Sequence, residues 1–297
     1  MARRIKYPIE KEYDGMKLYT YLKAVLGMST TSVRKLKHSE NGLTLNGGYI
    51  RTVDLLKAGD ELLITFPEEE NRIEPTSAEH LDIVYEDDDV LVLNKPAFLA
   101  MHPTHNHQGD TLANEVAAYL AAKGKNTLFR AVGRLDKCTS GLVVCALNRH
   151  ASSKLQGEYD KTYIAIAGGN FEGRGTINKP ICRPDPGKTL RAVGEEGEYA
   201  VTHWESIATD GEASVLRVTL ETGRTHQIRV HFASLGAPLL GDEMYGSTFT
   251  GISRAALHCA EVSFLHPISG EALHFEAPLP EDMRKLATEI MNEKLTN

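Results

Sequence analysis

The chain has 297 residues, 41% of them hydrophobic and 25% charged, with a formal net charge of −7. That suits one to three folded domains with at least one full core, and it argues against a binder that holds nucleic acid by bulk positive charge alone. No run approaches the ~18 consecutive apolar residues of a membrane span, and the start "MARRIKYPIEKEYDG" lacks the apolar stretch of a secretory signal, so a cytoplasmic chain with no membrane partner is expected.

Residues 1–66 read as one unit. In "MKLYTYLKAVLG" Leu18, Leu22, Val25 and Leu26 recur at helical spacing, and Gly27 fits a helix stop. "STTSVRKLKHSENG" offers Ser29 or Thr30 as an N-cap, turns Val33 and Leu36 inward and leaves Arg34, Lys35 and Lys37 outside. "LTLNGGYIRTVDLLKAGDELLITF" then alternates like short strands, with turns at Asn46-Gly47-Gly48 and Lys57-Ala58-Gly59-Asp60. Two helices followed by a small sheet is the pattern.

Residues 67–80, "PEEENRIEPTSAEH", are polar, acidic and proline-bounded, and read as a linker. From 81 to 297, strand-like and helical runs mix without a regular βαβ period. An α+β domain with a mixed, largely antiparallel sheet is therefore expected rather than a doubly wound one. "LDIVYEDDDVLVLNKP" gives two strands around Glu86 to Asp89. In "HPTHNH", His102, His105 and His107 invite a metal-hydrolase reading, but metal sites usually recruit carboxylate or thiolate partners with matched second shells, and Asp110 or the distant His226 and His231 join such a set only by supposition.

"AVGRLDKCTSGLVVCAL" places Arg134 and Asp136 on a loop that feeds the buried strand "GLVVCAL". An isolated R-x-D on a loop is usually an ion pair or a turn cap, but charge at a core margin is costly unless it is satisfied or used. "SVLRVTLETGRTHQIRVHFASLG" continues as a strand, a turn at Thr222-Gly223 and a helix with Ile228, Phe232 and Leu235 on one face. Arg224, His226, Gln227, Arg229 and His231 crowd that short segment, which suggests a site. In "DKTYIAIAGG", Tyr163 begins a strand and can present its ring at a cleft edge. The cysteines, Cys138, Cys145, Cys182 and Cys259, have no C-x-x-C spacing, and Cys145 and Cys259 read as core residues.

Together "GRLDKCTSGL", "KTY", "ETGRTHQIRVH", "GDEMYG", "RAALHCA", "HPISG" and "FEAPLP" run in the order found in the RluA family of pseudouridine synthases, which the chain resembles from about residue 81 to its end. The first unit resembles the S4 RNA-binding domain, and that likeness implies that Arg34, Lys35, Lys37 and Arg51 meet a phosphate backbone. The family resemblance implies isomerisation of uridine in RNA, with the C1'–N1 bond broken and C1'–C5 made. It implies no cofactor, which fits the lack of a phosphate-binding G-x-x-x-x-G-K-[ST] or a dinucleotide fingerprint, and no metal.

By position in these motifs Asp136 is the essential aspartate, acting as nucleophile or base, and Arg229 is its ion-pair partner. Tyr163 is the residue that stacks on the target base, and Arg134 fills the space left by the flipped uridine. Arg224 and His226 are assigned to backbone contact or site support, and Leu135 and Leu220 to pocket walls. Gly133 departs from the family, which carries histidine there. The substrate implied is ribosomal RNA of the large subunit, with transfer RNA second, and a monomer is expected because no segment reads as a dimerisation helix. The competing reading is a non-catalytic RNA-binding protein on the synthase fold, which would have no need of a carboxylate facing an anionic polymer.

Overall fold

The computed structural model describes residues 2–67, 73–78, 81–104, 107–125 and 128–296. His105 and parts of the 67–80 segment lie outside them.

The first unit is an antiparallel sheet covered by two short helices. Its strands are β1 (Arg3–Pro8), β2 (Leu43–Leu45), β3 (Gly48–Tyr49) and β4 (Glu61–Phe66), in the order β1-β4-β2-β3. The sequence alternates over three of these, whereas β1 leaves no such trace because "RRIKYP" carries too few apolar residues to show a period. Asn46 and Gly47 both have positive φ, 50° and 80°, as a two-residue hairpin between β2 and β3 requires.

The first helix, α1 (Leu18–Thr20), passes at once into a π turn over Tyr21–Val25 and ends before Gly27 at φ 63°. The second, α2 (Thr30–Lys37), is capped by the Ser29 side chain, which accepts from the Ser32 N–H at 3.0 Å. Val33 and Leu36 are buried, whereas Arg34, Lys35 and Lys37 are exposed. A core of Leu18, Leu22, Leu36, Leu56, Leu62 and Ile64 closes this unit on itself.

The rest of the described chain is built on a ten-stranded sheet. Its strands are β5 (Ile83–Glu86), β6 (Val90–Lys95), β7 (Arg130–Val132), β8 (Ser140–Ala146), β9 (Tyr159–Gly168) and β10 (Arg174–Asn178), followed by β13 (Val201–Thr209), β14 (Ala213–Leu220), β15 (Leu257–Leu265) and β16 (Ala272–Glu276). A separate two-stranded ribbon, β11 (Ile181–Cys182) with β12 (Ala192–Val193), stands outside it. The main path runs β10-β13-β14-β9-β15-β8-β6-β5, with β7 beside β8 and β16 beside β15. Only β15–β8 is parallel, so the sheet is mixed and largely antiparallel, as the irregular sequence pattern implied.

Helices α3 (Leu112–Ala122), α4 (Arg149–Leu155), α5 (Gln227–Ala233) and α6 (Glu281–Thr296) complete the unit. Strand β8 is buried along its whole length and reads as a continuous apolar run. Its Cys145, and Cys259 of β15, are fully buried, and burial pushes the Cys259 thiol up to about 11. Ile228 and Phe232 on α5 face the core, but Leu235 is exposed because the helix stops at Ala233. The proline-bounded segment does not simply span a gap: Ile73 packs on the core, and the Glu74 carbonyl accepts from Asn114 at 2.7 Å. Among the described residues no helix is long and apolar enough to cross a membrane.

Two buried histidines make this core acid-sensitive. His258 accepts from the Ser140 hydroxyl at 2.9 Å through Nδ1 and donates to the Ala277 carbonyl at 3.3 Å. His150 stacks on Phe66. Burial lowers both to about 4. Between about pH 6.5 and 4 the unfolded chain binds protons that the folded chain refuses, so stability falls as pH drops through that window and levels off below it, by roughly 2–4 kcal/mol per histidine. Urea midpoints measured across this range should decline less steeply in a His150→Phe, His258→Asn variant, and equal slopes would remove the histidines as the cause.

Candidate active site

The loop between β7 and β8 carries Arg134, Leu135 and Asp136 to one wall of a small cavity, about 60 Å³, whose other walls are Tyr163 of β9, Leu220 at the end of β14, and Arg224 to Arg229. Residues far apart in sequence thus meet at one end of the central strands. Leu135 is buried and Leu220 half-buried, as pocket walls would be, and Arg134 is exposed at the rim. Tyr163 lies in mid-strand rather than at its start, with its ring buried; burial raises its pKa well above the usual phenol value, so the hydroxyl keeps its proton.

Arg229 is the most tightly held cation in the cavity. Its Nε and Nη2 donate to the two Asp242 carboxylate oxygens, both at 2.7 Å, and both side chains are almost fully buried. The third nitrogen, Nη1, points at Asp136 Oδ2 from 3.4 Å. Its strongest partner is therefore Asp242 rather than Asp136, a difference from the pairing implied by the motif. Burial disfavours the Arg229 cation, but the Asp242 bond together with the neighbouring Cys138 and Asp136 raises its pKa above the ordinary arginine value. A fork fixed on one side by a carboxylate leaves its remaining donor aimed at the other.

His226 has φ 61°, a left-handed conformation unusual for a side chain with a Cβ. Its Nδ1 lies 2.8 Å from the Tyr245 hydroxyl, which also accepts from the Arg191 N–H at 3.1 Å. Its Nε2 faces Asp136 Oδ2 at 3.9 Å. Burial lowers the His226 pKa, against the pull of Asp136. The Tyr245 ring also lies under the Arg229 guanidinium at 5.0 Å. Gln227 pins the preceding turn by donating to Val201 and Thr202 and accepting from Thr222 and the Arg224 N–H. Arg224 turns outward to the Tyr199 carbonyl and Glu198.

Two buried cations hold the Asp136 loop from beneath. Lys95 donates to the carbonyls of Pro96, Leu99 and Lys137 at 2.8, 2.9 and 3.4 Å, and burial lowers its pKa to about 7. Arg254 is forked onto Asp282 at 2.7 and 2.9 Å and reaches the Cys138 carbonyl at 3.4 Å. Neither stands out as a site residue in the sequence, nor do Asp242 and Tyr245. "GDEMYG" and "RAALHCA" contain Asp242, Tyr245 and Arg254, and the lone lysine in "LNKP" ending an apolar run is the available signal for Lys95.

Gly133 has φ 74°, and a Cβ there would come within 2.3 Å of the Tyr159 hydroxyl. Tyr159 occupies the space a side chain at 133 would need, and the positive φ disfavours any residue with a Cβ there. Of the histidine turn, His107 is taken up by Asp110 at 2.6 Å and Lys137 at 3.1 Å, and His102 packs on Phe129. Among the described residues the grouping that could collect metal ligands is elsewhere, at Asp87, Asp89 and His266. Asp89 is engaged there by Arg3 and Asn148, and Asp87 by Tyr85. Arg34, Lys35, Lys37 and Arg51 lie on the first unit and not at the Asp136 cavity, with Arg51 bonded to Asp54.

The fold is that of solved pseudouridine synthases. Human RNA Pseudouridylate Synthase Domain Containing 1 superposes with a TM-score of 0.55 at 26% identity, over 73% of this chain and 97% of that one. Human RNA Pseudouridylate Synthase Domain Containing 4 gives 0.58 at 21% identity, over 72% and 95%, and shares the fold. The family model for RNA pseudouridylate synthase matches residues 89–234. The uncharacterized RNA pseudouridine synthase YhcT of Bacillus subtilis is 39% identical over 96% of this chain and 97% of its own length. Ribosomal large subunit pseudouridine synthase D of Vibrio cholerae is 35% identical over 87% and 86%. The chain belongs to the RNA pseudouridine synthases of the RluA type, and its reaction is the isomerisation of uridine in RNA.

Proposed function

We propose that Asp136 is the carboxylate on which this reaction turns, aimed by the Arg229 fork that Asp242 anchors. That geometry is the observation that carries the assignment: one carboxylate holds the arginine, and the arginine's remaining donor faces the other inside the cavity. A carboxylate so placed can attack carbon or remove a proton, and both routes need the same aim. Tyr163 stacks on the base, supported by its buried ring on the cavity wall, and Arg134 at the exposed rim fills the stack that the uridine leaves. His226, with its Nε2 facing Asp136, supports the site, and Arg224 contacts the RNA backbone. At about 60 Å³ the cavity is far below the ~300 Å³ of a small-metabolite pocket, which suits one base presented by a polymer.

The first unit acts as an S4-like RNA-binding domain over residues 1–66, joined by 67–80 to a synthase domain over 81–297. Support comes from its two helices and small sheet, and from the exposed Arg34, Lys35 and Lys37 on α2. The substrate is ribosomal RNA of the large subunit, as the names of the Vibrio cholerae relative and of ribosomal large subunit pseudouridine synthase D of Escherichia coli state for those proteins. The enzyme works in the cytoplasm as a monomer, without cofactor. Tritium release from C5-labelled uridine, measured separately on large-subunit ribosomal RNA and transfer RNA from a strain lacking this protein, should occur with the former alone. Release from transfer RNA alone would overturn the substrate assignment.

A further inference from the structure

The loop that carries Asp136 is fastened residue by residue to the rest of the protein. The Asp136 carbonyl accepts from the Thr139 N–H at 3.1 Å. Lys95 and Arg254 reach the carbonyls of Lys137 and Cys138, each at 3.4 Å, and the Ser140 hydroxyl bonds His258 Nδ1 at 2.9 Å. The Thr139 side chain is the exception. Thr139 is 2% exposed, and its Oγ1 has no hydrogen-bond partner among the described residues. The same residue lines the cavity of about 60 Å³ that Asp136 and Tyr163 share.

A buried hydroxyl left unbonded destabilises a fold, and native structures rarely keep one without a use. Valine has the same shape and carries no polar atom to desolvate. The neighbouring polar side chains on this wall are already engaged: Arg229 by two carboxylates, Gln227 by Val201 and Thr202, and Arg224 by Tyr199 and Glu198. Thr139 thus holds an uncommitted donor three residues along the loop from the reacting carboxylate.

The flipped base brings acceptors to such a donor. Uracil carries a carbonyl oxygen on each side of N3. When the bond from N1 to C1' breaks, the electron pair stays with the base and its charge spreads to both oxygens. A half turn of the ring about its N3–C6 axis then brings C5 to C1' and exchanges the positions of those oxygens. One fixed donor therefore meets O2 before the turn and O4 after it. A donor held in a small, largely enclosed cavity stabilises charge most where that charge develops.

We propose that the Thr139 hydroxyl donates to the uracil carbonyl oxygen beside the reacting ring atom, O2 of the uridine and then O4 of the turned base. This rests on the assignment of Asp136 and adds to it a contact that holds the base while it is detached.

The test measures kcat and KM by tritium release from C5-labelled large-subunit ribosomal RNA, taken from a strain lacking this protein, together with thermal unfolding of the same full-length preparations. Thr139→Val is expected to keep the wild-type thermal midpoint or raise it by about 2–4 °C, since it removes an unbonded buried hydroxyl. Its kcat should fall by roughly tenfold to a hundredfold with KM little changed, the pattern of a contact that strengthens in the transition state. Thr139→Ser, which keeps the hydroxyl and drops a methyl, should regain most of that turnover. A valine variant as active as wild type would overturn the proposal. Equal losses in the valine and serine variants would do the same by making side-chain shape the cause, as would a valine variant whose midpoint falls by several degrees, because the hydroxyl would then be bonded within the protein. Asp136→Asn protein is run alongside. Normal turnover there sinks the catalytic assignment, whereas an inactive asparagine variant beside an active valine variant sinks the threonine contact alone.

Discussion

Replacing Asp136 with asparagine is expected to abolish tritium release from C5-labelled RNA, by roughly a thousandfold or more, while RNA binding and folding persist. The asparagine keeps the shape and can still accept from Arg229 Nη1 and lie near His226, but it can neither attack carbon nor accept a proton at neutral pH. Folding should survive because the loop is fixed by other means: Lys95 and Arg254 hold the carbonyls of Lys137 and Cys138, and the Thr139 N–H bonds the Asp136 carbonyl at 3.1 Å. None of these contacts uses the Asp136 carboxylate. Tyr163→Phe makes the informative comparison, since it removes a hydroxyl that burial keeps protonated and leaves the ring on the cavity wall. Equal release by wild-type and Asp136→Asn protein would place the carboxylate elsewhere, and loss of RNA binding with loss of turnover would make Asp136 a binding residue.

What could be read beforehand follows from how each feature is written into the chain. The apolar run at 141–147 and the alternation in β4 report on burial locally, so their strands were legible from a few residues. The dense polar segment 222–231 announced a site because so much charge on a part-buried element is costly without use. Asp242 was different: it sits in a turn of unremarkable polarity, and its value lies wholly in a contact with Arg229 thirteen residues earlier on another element. Lys95 is similar, since only the packed structure shows that its ammonium is enclosed by three carbonyls. The π turn at Tyr21–Val25 keeps nearly the same apolar spacing as an α-helix and so leaves no separate trace in sequence. Gly133 looked like a missing histidine, yet the space is claimed by Tyr159, a residue twenty-six positions on whose placement depends on the pairing of β9.

The Arg229–Asp242 pair separates aiming from structural support. Arg229→Ala leaves the Asp242 carboxylate buried without its fork, a loss that typically costs about 3–5 kcal/mol, so low activity in that variant alone proves little. Arg229→Lys keeps the charge but not the planar fork and cannot hold Asp242 with two donors while facing Asp136 with a third, so it should fold better than the alanine variant and regain only part of the activity. The decisive variant is Arg229→Met with Asp242→Leu. Exchange of a buried ion pair for apolar side chains of similar volume is often neutral for stability, so this double variant should recover most of the thermal midpoint lost in Arg229→Ala. Turnover should stay lost, because Asp136 then has no donor at its Oδ2 from that side. In tritium release the double variant is expected to fall with Arg229→Ala while in thermal unfolding it sits near wild type. A double variant that folds and turns over normally would show that the fork only supports the cleft, and would leave His226 Nε2, 3.9 Å from Asp136, as the group that aims the carboxylate.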